Sequence, residues 1–203
     1  RMEIYLRFFR AVFSTVGWFL VGLDRWNETQ KGHAKLLRLE STAGDRPRIW
    51  FHAASVGELE SLWPLVEFAT LDDRYDLILT VFSTSAWSHV HRMARKLQSS
   101  RILFAGYSPF EGDWLDILKA VRPSLFVTAK YEAWPDMWNS FGVLGIPLAI
   151  IGAKPRSSIL WAKRILNLLA GVIPSIHFFT FDGENRAGLQ RSFPKSEIRL
   201  SSD

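Results

Sequence analysis

Arg48-Ile49-Trp50-Phe51-His52-Ala53-Ala54-Ser55-Val56-Gly57-Glu58-Leu59 holds two structural signals in immediate succession. The aromatic and β-branched run over 48–53 reads as a short buried strand. Ser55, followed three residues later by Glu58, is the S-x-x-E pattern of a capping box and opens a helix. The helix is predicted over 56–70, with apolar residues such as Trp63, Val66 and Phe68 at helical spacing. A strand that runs through a short polar turn into a capped helix is the first half of a βαβ unit.

The same alternation repeats to the end of the chain. Further strands are predicted at 76–82, 101–105, 124–128, 147–152 and 177–181, with a weak last one at 197–200. Helical patterns fill the gaps at 84–98, 111–121, 134–144, 158–172 and 183–192. This rhythm predicts an α/β fold, a doubly wound Rossmann-like parallel sheet in which ligands bind outside the carboxyl ends of the strands. The segments that follow those ends are polar, small and basic. They are 54–58, Ser83-Thr84-Ser85, Tyr107-Ser108-Pro109, 129–135 and Ala153-Lys154-Pro155-Arg156-Ser157-Ser158. Such a rim suits sugar hydroxyls and phosphates, which helix N-termini and Lys or Arg side chains can hold. Neither G-x-G-x-x-G nor a Walker A sequence is present, which argues against dinucleotide and ATP binding.

The chain has 203 residues, 48% of them hydrophobic, enough to furnish the core of one ordinary domain and to exclude disorder. It has no cysteine, so disulfides, thiolate nucleophiles and cysteine-ligated zinc are excluded. The net charge of +5 is unevenly spread: residues 1–48 carry nine Lys/Arg against five Asp/Glu, and residues 49–203 carry sixteen against fifteen. A basic leader on a nearly neutral body fits an anionic membrane surface, not nucleic acid, which needs basic residues across the folded face.

The leader runs through Met2, Ile4, Tyr5, Leu6, Phe8 and Phe9, with Arg7 and Arg10 interrupting, and is uncharged over the thirteen residues from Ala11 to Leu23. A spanning helix needs roughly 20 apolar residues, so an interfacial helix over 2–25 is expected, with Arg7, Arg10 and Arg25 at the lipid surface. No A-x-A-like site follows Leu23, which argues against a signal peptide. The alternative for Phe8, Phe13 and Phe19 is packing under the domain. A basic linker or helix is expected over 26–47 and the Rossmann-like domain over 48–203.

His52-Ala53-Ala54-Ser55-Val56-Gly57-Glu58, Thr80 to Thr84, Val121-Arg122-Pro123, Glu132-Ala133-Trp134-Pro135-Asp136 and Gly145-Ile146-Pro147-Leu148 together resemble the amino-terminal domain of lipid A-specific 3-deoxy-D-manno-octulosonic acid (Kdo) transferases. The first segment is highly specific and the others follow it in the same order over residues 2–203. The resemblance implies the amino-terminal lobe of a glycosyltransferase B fold. It implies transfer of Kdo from CMP-Kdo to a lipid A precursor in building the lipopolysaccharide inner core, at the cytoplasmic face of the inner membrane. It implies no metal and no cofactor, and a donor-binding carboxyl-terminal lobe beyond residue 203, so that the domain alone is expected to be inactive.

Carried over by position, Glu58 matches the family's proposed general base for an inverting transfer. Its bland alternative is the capping box itself, and the two readings stand side by side. The acceptor-binding positions are Ser55, Gly57, Ser83, Thr84, Lys130, Glu132, Lys154 and Arg156. Where the family reads E-T-E-L-W-P, this chain has Lys130-Tyr131-Glu132-Ala133-Trp134-Pro135, a reversed charge at the first position. Lys130 is expected either to pair with Glu132 or Glu58 or to contact an acceptor phosphate. Trp114, Trp138 and Trp161 read as core, while Trp134 lies in the rim as a possible sugar platform. His89 and His91, two apart on a helix, point to different faces and do not make a zinc pair. Two alternatives remain, a different lipid-linked sugar transferase of the same architecture and a non-catalytic lipid-binding module.

Overall fold

The computed structural model describes residues 1–40, 46–130 and 132–201, without the side chains of 13, 14, 16–18 and 20. The chain runs α1 (Met2–Val21), α2 (Leu23–Arg38), β1 (Arg48–Ala53), α3 (Val56–Thr70), β2 (Asp76–Val81), α4 (Thr84–Leu97), β3 (Ile102–Tyr107) and α5 (Trp114–Val121). It continues through β4 (Leu125–Ala129), α6 (Pro135–Leu144), β5 (Leu148–Ile151), α7 (Ser157–Leu169), β6 (Ile176–Thr180), α8 (Gly183–Ser192) and β7 (Glu197–Leu200). All seven strands join one parallel sheet in the order β3-β2-β1-β4-β5-β6-β7. This is the Rossmann-like architecture expected of the amino-terminal lobe of a glycosyltransferase B fold.

Over β1 to β4 both faces of the sheet are covered, so these strands are apolar at successive positions, whereas β6 and β7 alternate more and less buried positions. Trp50, Ile78, Phe104 and Phe126 point into one core with α2, α5, α6 and α7. Phe51, Leu77, Leu79 and Val127 point into the other, beneath α3 and α4. Trp138 and Phe126 are fully buried in the first core, where truncation of a large aromatic costs about 3–5 kcal/mol. The chain winds outward from β1 through β2 to β3, then returns to lay β4 on the other side of β1. That reversal leaves a crevice at the carboxyl ends of β1 and β4.

Several expectations need correction. Trp161 is 48% exposed on α7 and Phe68 is exposed on α3, because each falls on the solvent side of a helix whose core face is already filled. α5 begins at Trp114 rather than at 111. Residues 108–113 instead form a loop that turns at Gly112, whose φ of 101° favours glycine. α7 stops at Leu169, capped by Ala170 in the left-handed region.

The leader divides at Gly22 (φ 84°) into two helices. α2 lies on α5 and β3, with Leu36 fully buried and Gly32 against the Phe104 ring. α1 is fastened to the body by its Tyr5, which donates to Glu111, and by Arg10, which donates to the Gly112 carbonyl and to Asp116. Arg25 lies over the Phe82 and Tyr107 rings, 4.4 and 5.4 Å from their centroids. Arg10 and Arg25, expected at a lipid surface, are therefore engaged by the protein itself. Phe8 and Phe19 are 61% and 76% exposed, so neither packs under the domain; the Phe13 side chain lies outside the described residues. Among the described residues no helix is long and apolar enough to cross a membrane.

Candidate functional site

The crevice is built from the end of β1, the start of α3 and the segment after β4. Register sets His52 beside Thr80 on β2 and Thr128 on β4. Trp50 Nε1 donates to Thr80 Oγ1 at 2.7 Å, and Thr80 Oγ1 lies 3.0 Å from His52 Nδ1. His52 Nε2 faces Glu132 Oε2 at 3.5 Å. Trp134 Nε1 donates to the same oxygen at 2.9 Å. Burial pushes the Glu132 carboxyl up, but the His52 and Trp134 contacts outweigh it and hold the group below the usual carboxylate range.

Glu58 is buried at the head of α3. Its Oε2 accepts the backbone N–H groups of Ala54 and Ser55, at 2.8 and 3.2 Å, and Ser55 Oγ accepts the Glu58 N–H at 3.4 Å. The capping box is thus complete. Oε1 takes no protein hydrogen bond among the described residues. Burial first, then the nearby Glu132 charge, raise the Glu58 pKa; the two backbone donors and His52 oppose the rise. A Cβ built on Gly57 would meet nothing within 4 Å, so the space above this helix start is open. By helix geometry the N–H groups of Val56 and Gly57 point out of the helix start.

Lys130 ends β4 in the left-handed region, with φ 59°, a conformation that costs a side-chain-bearing residue roughly 1–2 kcal/mol. Its N–H bonds to the Ile151 carbonyl at 2.8 Å, which ties the ends of β4 and β5 together. No ion pair joins Lys130 to Glu58 or Glu132, since His52 occupies the Glu132 side; this removes the pairing expected from sequence. Tyr131 lies outside the described residues.

The other expected positions are less closely gathered. Ser83 caps α4 by accepting the Ala86 N–H at 3.2 Å, and exposed Thr84 follows it. They meet the crevice through Phe82, whose ring lies 5.9 Å from that of Trp134. Lys154 and Arg156 sit one strand further out after β5, where the Lys154 charge acts on Asp182 rather than on Glu58.

A second polar cluster adjoins the crevice and was not singled out by sequence reasoning. Glu111 Oε1 accepts the Tyr5 hydroxyl at 3.1 Å and the Asp136 N–H at 2.7 Å. Asp136 in turn accepts the Gly112 and Trp114 N–H groups through Oδ2 and the Ser140 hydroxyl through Oδ1. Burial raises Glu111 to about 8 and Asp113 to about 6, and depresses His33 to about 4. The signal available in the sequence was an acid set among Phe110, Gly112, Asp113 and Trp114 just after a strand. Glu111 and His52 help to line a cavity of about 80 Å³, with Phe9, Phe82, Ser108 and Trp134. Glu58 is outside this cavity and borders it through the His52–Glu132 pair.

Comparison with known proteins bears on the family of the chain. A family model described as 3-deoxy-D-manno-octulosonic-acid transferase (kdotransferase) matches residues 24–199. The chain is 26% identical over 148 residues to a 3-deoxy-D-manno-octulosonic acid transferase of Chlamydophila psittaci, covering 67% of this chain and 33% of that protein. It is 22% identical over 148 residues to a bifunctional glycosyltransferase/methyltransferase of Fusobacterium nucleatum, covering 69% of this chain and 22% of that protein. The chain therefore spans about a third and about a fifth of the curated relatives it matches. No solved structure matches it.

Proposed function

Since the chain belongs to the 3-deoxy-D-manno-octulosonic-acid transferase family, we propose that it is the acceptor-binding part of an inverting Kdo transferase that uses CMP-Kdo and a lipid A precursor. The observation that carries this reading is Glu58. Its carboxylate is fastened through one oxygen only, at the point where the strand order reverses. The acceptor hydroxyl oxygen forms the new bond to the anomeric carbon. The bond from that carbon to the CMP phosphate oxygen breaks, and CMP leaves with the electron pair. The hydroxyl proton passes to Glu58 Oε1. A pKa raised by burial and by Glu132 makes the carboxylate a better proton acceptor than an exposed one.

Ser55 and the open N–H groups at the start of α3 receive an acceptor oxygen, while Ser83, Thr84, Lys130, Lys154 and Arg156 form the outer rim. Glu132 orients His52 and adjusts Glu58. The outward aromatic side chains of α1 favour attachment to the cytoplasmic face of the inner membrane through residues 2–25, with Arg7 as the leader arginine left exposed toward lipid. Vesicle flotation of the full-length protein with and without Phe8→Ala and Phe19→Ala tests the attachment.

One observation favours a second reading, in which this is a lipid-binding module without catalysis. The capping box is complete, so Glu58 already has a structural task. Glu58→Gln keeps the cap and removes the proton acceptor. Turnover of CMP-Kdo by the full-length variant within a few-fold of wild type would remove Glu58 from the mechanism.

A further inference from the structure

Glu111 is buried to 7% exposure, and one of its two oxygens, Oε2, has no hydrogen-bond partner among the described residues. Buried carboxyl oxygens are rarely left so, because the missing bond is a direct cost to folding. Its other oxygen is fixed from two directions, by Tyr5 on α1 and by the backbone of Asp136 on α6, so the group is held in place rather than adrift. It lines the cavity described above, whose described lining residues are mostly aromatic and include no Lys or Arg.

We propose that Glu111 is an acceptor-facing binding residue, whose second carboxyl oxygen donates a hydrogen bond to a hydroxyl of a neutral pyranose edge seated in this cavity against its aromatic wall. The inference rests on reading this rim as a sugar-acceptor site. An anionic ligand is disfavoured, since the described lining residues include no Lys or Arg and do include a carboxyl group. A sugar nucleotide is too large for about 80 Å³, whereas one edge of a pyranose fits. The aromatic faces match the apolar C–H surface of a sugar, and Ser108 and Glu111 supply the few polar groups that fix its orientation. Burial raises Glu111 to about 8, so the proton it needs to donate is present at neutral pH.

The test is binding by the full-length protein, not transfer. Methyl α-D-glucopyranoside and its mono-deoxy derivatives are titrated by ligand-observed NMR against wild type, Glu111→Gln, Glu111→Met and Ser140→Ala. Gln reproduces a protonated carboxyl, so its affinity is expected within about threefold of wild type, whereas Met is expected to weaken binding by about tenfold or more. One deoxy derivative is expected to lose affinity for wild type and Gln but not for Met. Ser140 bonds to Asp136 Oδ1 but does not line the cavity, so Ser140→Ala reports disturbance of the acidic network alone.

The proposal falls if wild type does not bind the glycoside, if Met binds like wild type, or if Ser140→Ala loses as much as Met. Should Met fail to fold, Gln and the deoxy series decide. A tenfold loss in Gln, or equal binding of every deoxy derivative by wild type, overturns it. A wild type that binds the glycoside through Glu111 yet transfers no Kdo would sink the proposed function and leave this inference standing.

Discussion

At the ends of β1 and β4 the polar side chains of the crevice are tied to one another, buried at Trp50, Thr80 and His52 and reaching the surface at Trp134. Trp50, Thr80, His52, Glu132 and Trp134 form one continuous chain of contacts. At the end of β5, on the same edge of the same sheet, Lys154 is half-buried and Arg156 exposed, and the neighbouring charge is Asp182 at the surface. The first region is preorganised by a buried network, with its ordering completed on folding; the second lies on a loop at the surface. Preorganised groups supply orientation and tuned acidity, whereas a solvated cation supplies screened attraction. Under the proposed function, chemistry belongs to the β1/β4 region and a weaker, salt-sensitive contribution to the β5 loop.

The largest expected effect is that of Glu58→Gln. Loss of the proton acceptor should lower turnover of the full-length enzyme by about 10²–10⁴-fold. The amide still accepts the Ala54 and Ser55 N–H groups, so thermal melting should barely move. A mutant that melts early and loses activity in proportion would assign Glu58 to the cap alone and erase the contrast.

Glu132→Gln comes next. Glu132 raises the Glu58 pKa, so removing its charge should move the acid limb of the kcat/KM profile to lower pH, with a rate loss of about tenfold. An unmoved limb would mean that the two carboxylates do not communicate.

The acidic cluster beside the crevice should leave a mark on stability. Glu111 has its folded pKa raised from 4.5 to about 8, so the folded state binds the extra proton and its contribution is lost as pH rises through that window. His33 has its folded pKa lowered from 6.5 to about 4, so its contribution is present above pH 6.5 and is lost as pH falls toward 4. Between 4.5 and 6.5 the His33 slope opposes that of Glu111, which Asp113, raised to about 6, reinforces; of these three groups Glu111 alone acts from 6.5 to 8. Stability should therefore fall over that upper range by at most about 2 kcal/mol, and Glu111→Gln should flatten the fall. Denaturant melts at pH 6.5 and 8 measure it.

The smallest effect belongs to the open region. Lys154→Ala should change stability by less than about 0.5 kcal/mol and acceptor KM by about threefold or less, with the KM effect vanishing at high salt. A large, salt-independent loss would show that the β5 loop is as organised as the β1/β4 crevice.

Much of this molecule was legible before any coordinates. Local chain chemistry dictated the strands at 48–53 and 197–200 and the helix starts at Val56, Thr84 and Gly183, because apolar period and capping residues act within a few positions. The family motif lay in the chain as written, and with it the candidate Glu58. Tertiary structure alone decided which partners those residues took. His52 meets Glu132 across 80 positions, Glu111 meets Tyr5 across 106, and Lys130 meets neither carboxylate it was expected to pair with. Trp161 and Phe68 had the right spacing for a core yet face outward, since the face of a helix that is buried depends on what packs against it. Periodicity and caps are short-range and therefore readable from sequence. Burial, pKa and the pairing of distant side chains are properties of the packed sheet, and they come into being only when β4 returns to lie against β1.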